Sequence, residues 1–227
     1  MIEPLTDGEL AALRAFSTPT VCNAIERFNV RPRNEGFMDS TIVCRFPKLG
    51  PMAGYAVTAK IHAAQPPESE MPADRVWDEF EKTPRPWVVV IEDLDYPDPV
   101  GSYWGEVNAS VYKRLGAVGC VTNGGVRDLG DVRPHGFHFF SSCLLVSHAY
   151  VHVVEAGTPV TVGGLTMRPG DLLHGDEHGV TTVPHDIARD LPEACRQLEA
   201  AEGRLIDYAG SPDSTLEGLR EMHPKVD

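Results

Sequence analysis

The sequence predicts an α/β fold, a sandwich with mixed sheets, on three observations. Helical periodicity marks both ends of the chain. Buried strand and helix runs alternate between residues 53 and 122, and short β-rich runs cut by glycine and proline fill residues 137–183. A domain takes roughly 100–200 residues, so the whole chain, residues 1–227, is expected to form a single domain.

Thr6-Asp7-Gly8-Glu9 is a capping-box pattern, and Leu10, Leu13 and Phe16 follow it at helical spacing. A second helix is predicted to open at Thr18-Pro19, where proline suits the first turn and Val21, Ile25 and Phe28 share a face. Alternation around Val57 and Ile61 makes 53–62 a strand. Residues 65–86 hold five prolines, which predicts a surface excursion with a short helix at 75–80, because proline cannot serve inside a regular ladder. The apolar run 87–91 reads as a buried strand ending at Glu92-Asp93. Val107, Val111 and Leu115 define a helix face that stops at Gly116, and 117–122 is a second buried strand. Further β runs fall at 144–154, 159–162, 165–167 and 179–183. The last helix carries Leu191, Cys195, Leu198 and Leu205 on one face behind a second capping-box pattern, Asp190-Leu191-Pro192-Glu193.

Charge limits the partners. Twenty Lys and Arg against 33 Asp and Glu leave a net charge of −13, so the average surface repels phosphate backbones and anionic membranes. No nucleic acid and no membrane is expected as a partner, and an anion must be drawn by a local positive site. Cys22, Cys44, Cys120, Cys143 and Cys195 are odd in number and contain no CxxC, so neither a disulfide framework nor a zinc ribbon is legible. A cytoplasmic location is expected, since residues 1–16 lack a basic region followed by an apolar one and no run approaches the ~18 apolar residues of a membrane span.

The chemistry concentrates in Gly105-Glu106-Val107-Asn108 and in Asn123-Gly124-Gly125-Val126-Arg127-Asp128-Leu129-Gly130-Asp131. Gly105-Glu106 falls where a loop becomes a helix, so the amides of Val107 and Asn108 are expected to point outward as a seat for a carboxylate or phosphate. The paired glycines after the 117–122 strand are expected to let backbone approach a ligand closely. Arg127 offers a planar cation for a carboxylate or enolate, and Asp128 a hard oxygen for a divalent ion. Mg²⁺ keeps several waters, which Glu106 and Asp131 can orient.

These residues resemble the RraA-like family, which includes the 4-hydroxy-4-methyl-2-oxoglutarate/4-carboxy-4-hydroxy-2-oxoadipate aldolases. The resemblance runs from Ser17-Thr18-Pro19-Thr20-Val21 through 53–60, peaks at Trp104-Gly105-Glu106 and Gly124-Gly125-Val126-Arg127-Asp128, and continues through 159–164, 168–172 and 175–180. It implies an α-β-β-α sandwich of the swivelling β/β/α type. It further implies a divalent-metal-dependent (class II) pyruvate aldolase that cleaves a 4-hydroxy-2-oxo diacid, with oxaloacetate decarboxylation through the same pyruvate enolate. By match, Asp128 is the ligand of Mg²⁺ or Mn²⁺, Arg127 contacts the pyruvate portion, and Glu106 holds metal-bound water. Gly105 and the amides of Val107 and Asn108 bind the substrate carboxylate, and Asp131 and Asn123 stand behind the metal. The family also draws a catalytic glutamate from a neighbouring subunit's C-terminal helix, matched here by Glu202 or, next, Glu199. That implies a homo-oligomer, a trimer or a dimer of trimers, with the active site at the subunit interface.

The sequence departs from the family pattern where Asn123 and Asn23 stand in place of Asp, and where His174 and His178 flank the Gly-Asp-Glu turn. Two other functions stay open: a non-catalytic regulator that binds a ribonuclease, and a lyase of the same fold acting on a sugar-acid intermediate. A zinc site at His148 and His152 is disfavoured, because residues four apart in a strand lie roughly 13 Å apart. Ser141-Ser142 lacks the GxSxG setting of a hydrolase nucleophile.

Overall fold

A computed structural model describes residues 3–67 and 72–222. Helix α1 (Asp7–Leu13) opens with the expected capping box: the Glu9 N–H donates to Thr6 Oγ1 at 3.3 Å and the Thr6 N–H to Glu9 Oε2 at 2.7 Å. Helix α2 (Thr18–Glu26) starts behind Ser17, whose hydroxyl accepts the Thr20 N–H at 3.2 Å, and Pro19 occupies its first turn. After them come β1 (Val43–Cys44), β2 (Met52–His62), a 3-10 helix at Ala73–Glu79, β3 (Trp87–Asp93), α3 (Glu106–Leu115) and β4 (Ala117–Val126). The chain continues through α4 (Leu129–Val132), β5 (His138–Leu144), β6 (His152–Ala156), β7 (Val160–Val162) and β8 (Leu165–Met167). It ends with β9 (Leu172–Asp176), β10 (Gly179–Val183), α5 (Leu191–Ala209) and α6 (Leu216–Met222).

Eight strands form one mixed sheet in the order β1-β5-β4-β3-β2-β9-β10, with β6 pairing on the far half of β2. Its centre, β5-β4-β3-β2, is parallel, so four carboxyl ends open on one side, where α/β sheets place ligand crevices. The alternation read in β2 is real. Tyr55, Val57, Ala59 and Ile61 face the helices, packing with Leu10, Leu13, Trp104 and Tyr112, while Ala56 joins Val88, Val90 and Val121 against Val160, Val162 and Met167 of the β7–β8 hairpin.

Four expectations need correction. The run 144–154 is not one strand: residues 145–151 are irregular and leave Val146 exposed, so His148 and His152 do not share a strand. The capping box before α5 does not form, because Asp190 makes no side-chain cap bond and Glu193 is held by Arg196 and Gln197. Helix α6 had no sequence signal beyond a few scattered apolar residues. Most important for the site, β4 does not stop at residue 122 but runs through Gly124-Gly125 to Val126, with a register shift against β5 between Thr122 and Gly125.

Candidate active site

The glycines inside β4 serve packing. A Cβ on Gly124 would stand 2.5 Å from Asp93 Oδ2, and one on Gly125 would run into the Leu145 side chain. The space expected for a ligand is therefore filled by the protein, and the extended strand carries Arg127 and Asp128 past the end of β3.

The loop before α3 is locked onto this extension. Trp104 bridges Val126 in parallel and accepts the Arg127 N–H at 3.0 Å, while Ser102 Oγ lies 2.7 Å from Trp104 O and 2.8 Å from Gly125 O. Trp104 is fully buried among Tyr103, Tyr112 and Phe137, with ring centroids 5.0–5.6 Å away. Each such aromatic pair adds about 0.5–1.5 kcal/mol beyond area burial. The segment that delivers Gly105 is thus rigid, as a catalytic frame requires.

At the junction, Asp128 adopts left-handed backbone (φ 58°, ψ 36°), a conformation uncommon for non-glycine residues and best tolerated by Asp and Asn. The turn swings its carboxylate back to the start of α3, where Oδ2 accepts the Glu106 N–H at 3.1 Å. Arg127 Nε lies 3.7 Å from the same oxygen, too far for a hydrogen bond, and is buried without a partner. A Cβ on Gly105 would collide with Asp128 Oδ2 and press on Arg127 Nε, so any larger residue there must displace the carboxylate. The N-cap residue of α3, Gly105, supplies no side-chain cap, and among the described residues Asp128 engages only the Glu106 amide of the helix's first three. The Val107 and Asn108 amides are free to meet an anion at the positive end of the helix dipole.

The other sequence candidates fall into three places. Glu106 and Asp131 are exposed beside this junction, and the Asp131 N–H donates to Asp128 O at 3.1 Å. Asn108 ties α3 to its loop through Nδ2 and Tyr103 O at 2.6 Å, and the Val107 side chain is exposed. Asn123 is elsewhere: its Oδ1 accepts the Asp93 N–H at 2.7 Å and its Nδ2 donates to Asp93 O at 3.2 Å, stitching β3 to β4. Glu199 and Glu202 are exposed on α5. Among the described residues, no three His, Cys, Asp or Glu side chains gather in a way that could hold a metal ion. A divalent ion therefore fits only as one held by Asp128 and water. The half-exposed carboxylate, with Oδ2 engaged and Oδ1 unengaged, allows this.

His174 and His178 separate from the site. His174 is buried and bonds Thr18 Oγ1 (3.0 Å) and Leu13 O (3.2 Å), while His178 Nδ1 lies 3.1 Å from Asp176 Oδ1. Burial alone would raise the Asp176 carboxyl, but the Thr18 and His178 N–H groups outweigh it and hold it low. Two residues were missed. Ser102 has no spacing that links it to β4, and Asp93 carried no signal beyond closing the strand at 87–91. Asp93 is in fact buried with Oδ2 unpartnered, and burial pushes its carboxyl up to about 6.

A family model described as RraA-like, Aldolase/RraA, matches residues 18–182. Protein DlpA of Legionella pneumophila is 28% identical over 144 residues, covering 63% of this chain and 23% of that protein. A protein of Halalkalibacterium halodurans named "Putative 4-hydroxy-4-methyl-2-oxoglutarate aldolase" is 27% identical over 125 residues, 53% of this chain and 59% of that one. The chain thus spans less than two thirds of the length of either relative. The structure of Streptomyces coelicolor RraAS2, titled an unusual member of the RNase ES inhibitor RraA protein family, superposes with a TM-score of 0.69 at 21% identity, over 88% of this chain and 96% of that one.

Proposed function

Because the chain belongs to the RraA-like family, we propose that it is a carbon–carbon lyase that needs Mg²⁺ or Mn²⁺ and releases pyruvate from a 4-hydroxy-2-oxo diacid, with oxaloacetate decarboxylation as a companion activity. The observation that carries this reading is the Asp128 turn. It puts a carboxylate, a guanidinium and two free helix-start amides around one point, in a chain whose net charge of −13 would otherwise repel a dianion.

The Val107 and Asn108 amides bind the substrate carboxylate at the positive end of α3. Arg127 faces the 2-oxo group, and its charge stabilises the negative charge that develops there as the bond breaks. Asp128 would hold the divalent ion, which when bound supplies Lewis-acid stabilisation of the same charge. Glu106, exposed on the first turn of α3, helps to take the proton from the C4 hydroxyl of an aldol substrate through the water it would hold. Glu202, or Glu199, of a neighbouring copy completes the proton path in a trimer or a dimer of trimers, and the proton taken from the hydroxyl is returned to C3 of the enolate to give pyruvate. Oxaloacetate has no such hydroxyl, so its decarboxylation does not need this base.

The test is a coupled pyruvate assay on oxaloacetate and on a 4-hydroxy-2-oxo diacid, with Mg²⁺ or Mn²⁺ and with excess EDTA. Pyruvate release that EDTA abolishes and added metal restores supports the reading. Release that persists in EDTA, or no release from either substrate, refutes it.

A further inference from the structure

At the opposite end of the sheet, Met52, Ala117 and His138 are the first residues of β2, β4 and β5, and a cavity of about 360 Å³ opens beside them. It lies roughly 30 Å from Arg127 and Asp128, the length of the ten-residue β4. Arg14, Lys113 and His138 line it and no acidic side chain does, an inversion of the chain's overall charge. Arg14 enters no ion pair or side-chain hydrogen bond among the described residues. Lys113 Nζ is aimed by the His135 and Gly136 carbonyls, which leave its charge uncompensated. The half-unit negative end of α3, which closes here at Gly116, is smaller than these two full charges.

His138 is the second observation. It is 8% exposed, its ring stacks on Phe140 at an interplanar angle of 14°, and it forms part of the cavity wall. Burial first, and then the nearby Lys113 charge, push it down to about 4, so the ring is neutral at pH 7 and carries one N–H.

We propose that this cavity is a second ligand site, separate from the candidate active site, which takes a small oxyanion, carboxylate or phosphate, between Arg14 and Lys113, with the His138 ring in its wall. The Arg fork and the Lys point charge approach from different elements, and both are suited to such oxygens.

The probes are inorganic phosphate and acetate, titrated calorimetrically into the full chain at pH 7, with sodium chloride at equal ionic strength as the control. One of the two anions should bind one-to-one above the control, and the tighter one identifies the natural class. Arg127→Ala should leave this binding intact even if the proposed lyase activity fails. Arg14→Gln and Lys113→Gln, each checked for an unchanged melting curve, should weaken it by ~10-fold or more, the loss of one charge-assisted hydrogen bond. If one variant melts early, the other decides. No binding above chloride, or binding that Arg127→Ala removes and Arg14→Gln leaves untouched, overturns the site.

Discussion

Asp128 Oδ2 accepts the backbone N–H of Glu106 at 3.1 Å, closing a ring between two segments 22 residues apart in sequence. The bond has two effects. It engages the first free amide of α3 and leaves the next two for a ligand, and it fixes the carboxylate that the proposed ion would use. Asp128→Asn keeps the side-chain acceptor and tolerates φ 58°, since asparagine is among the residues most at ease in left-handed backbone. The variant is expected to melt within a few degrees of wild type yet lose ~10²–10³-fold in kcat for pyruvate release, the scale of one lost electrostatic stabiliser. Equal losses of stability and activity would make Asp128 structural.

Gly105→Ala tests the closeness of the same junction. Its Cβ would overlap Asp128 Oδ2, so the carboxylate or the helix start must shift. Steady-state kinetics should show a fall of ~100-fold in kcat/KM, the cost of misplacing reacting groups by about 1 Å. Unchanged kinetics would mean that the junction is free to move.

Much of this was legible in the sequence, for physical reasons that also explain what was not. The α1 capping box and the Pro19 start of α2 are local, with every partner within three residues, so sequence spacing contains them. The junction of Gly105, Arg127 and Asp128 was visible as paired motifs, but its geometry was not, because the left-handed turn at Asp128 is imposed by the docking of α3. Gly124 and Gly125 were misjudged because their neighbours, Asp93 and Leu145, come from other strands and loops. His174 drew attention as a departure near a turn, whereas its partners lie some 160 residues away, out of reach of any spacing argument.

Asp93 predicts an unusual pH dependence. Its carboxyl ionises at about 6 in the folded chain against 3.8 when free, chiefly because burial disfavours the charge. Between those values the folded state holds a proton that the unfolded state releases, so this group's contribution to stability falls as pH rises from about 4 to about 6. Asp93→Asn keeps the Oδ1 that accepts the Asp95 N–H at 3.0 Å and cannot ionise. Urea unfolding across pH 4 to 7 should show wild type losing on the order of 2 kcal/mol relative to the variant as pH rises. Parallel curves would show that Asp93 is ionised throughout.

His174 acts in the opposite sense. Leu13 O can only accept, so Nε2 carries the proton, and Nδ1 accepts from the Thr18 hydroxyl. One neutral ring therefore pins α1 and α2 to β9, and protonation would put a second N–H where the Thr18 O–H now donates. Burial, the largest cause, holds the ring down to about 4 against 6.5 when free. Its contribution is complete above pH 6.5 and is lost as pH falls from there towards 4, on the order of 3 kcal/mol. His174→Phe fills a similar volume but breaks both bonds, so it should cost roughly 2–4 kcal/mol at pH 7. The gap to wild type should then narrow as pH falls towards 4, since phenylalanine has no neutral form to lose. Wild type and His174→Phe curves that stay a constant distance apart in a denaturant series from pH 7 to 4 would show that the buried imidazole takes up its proton as readily as the free one, and that burial does not hold it neutral.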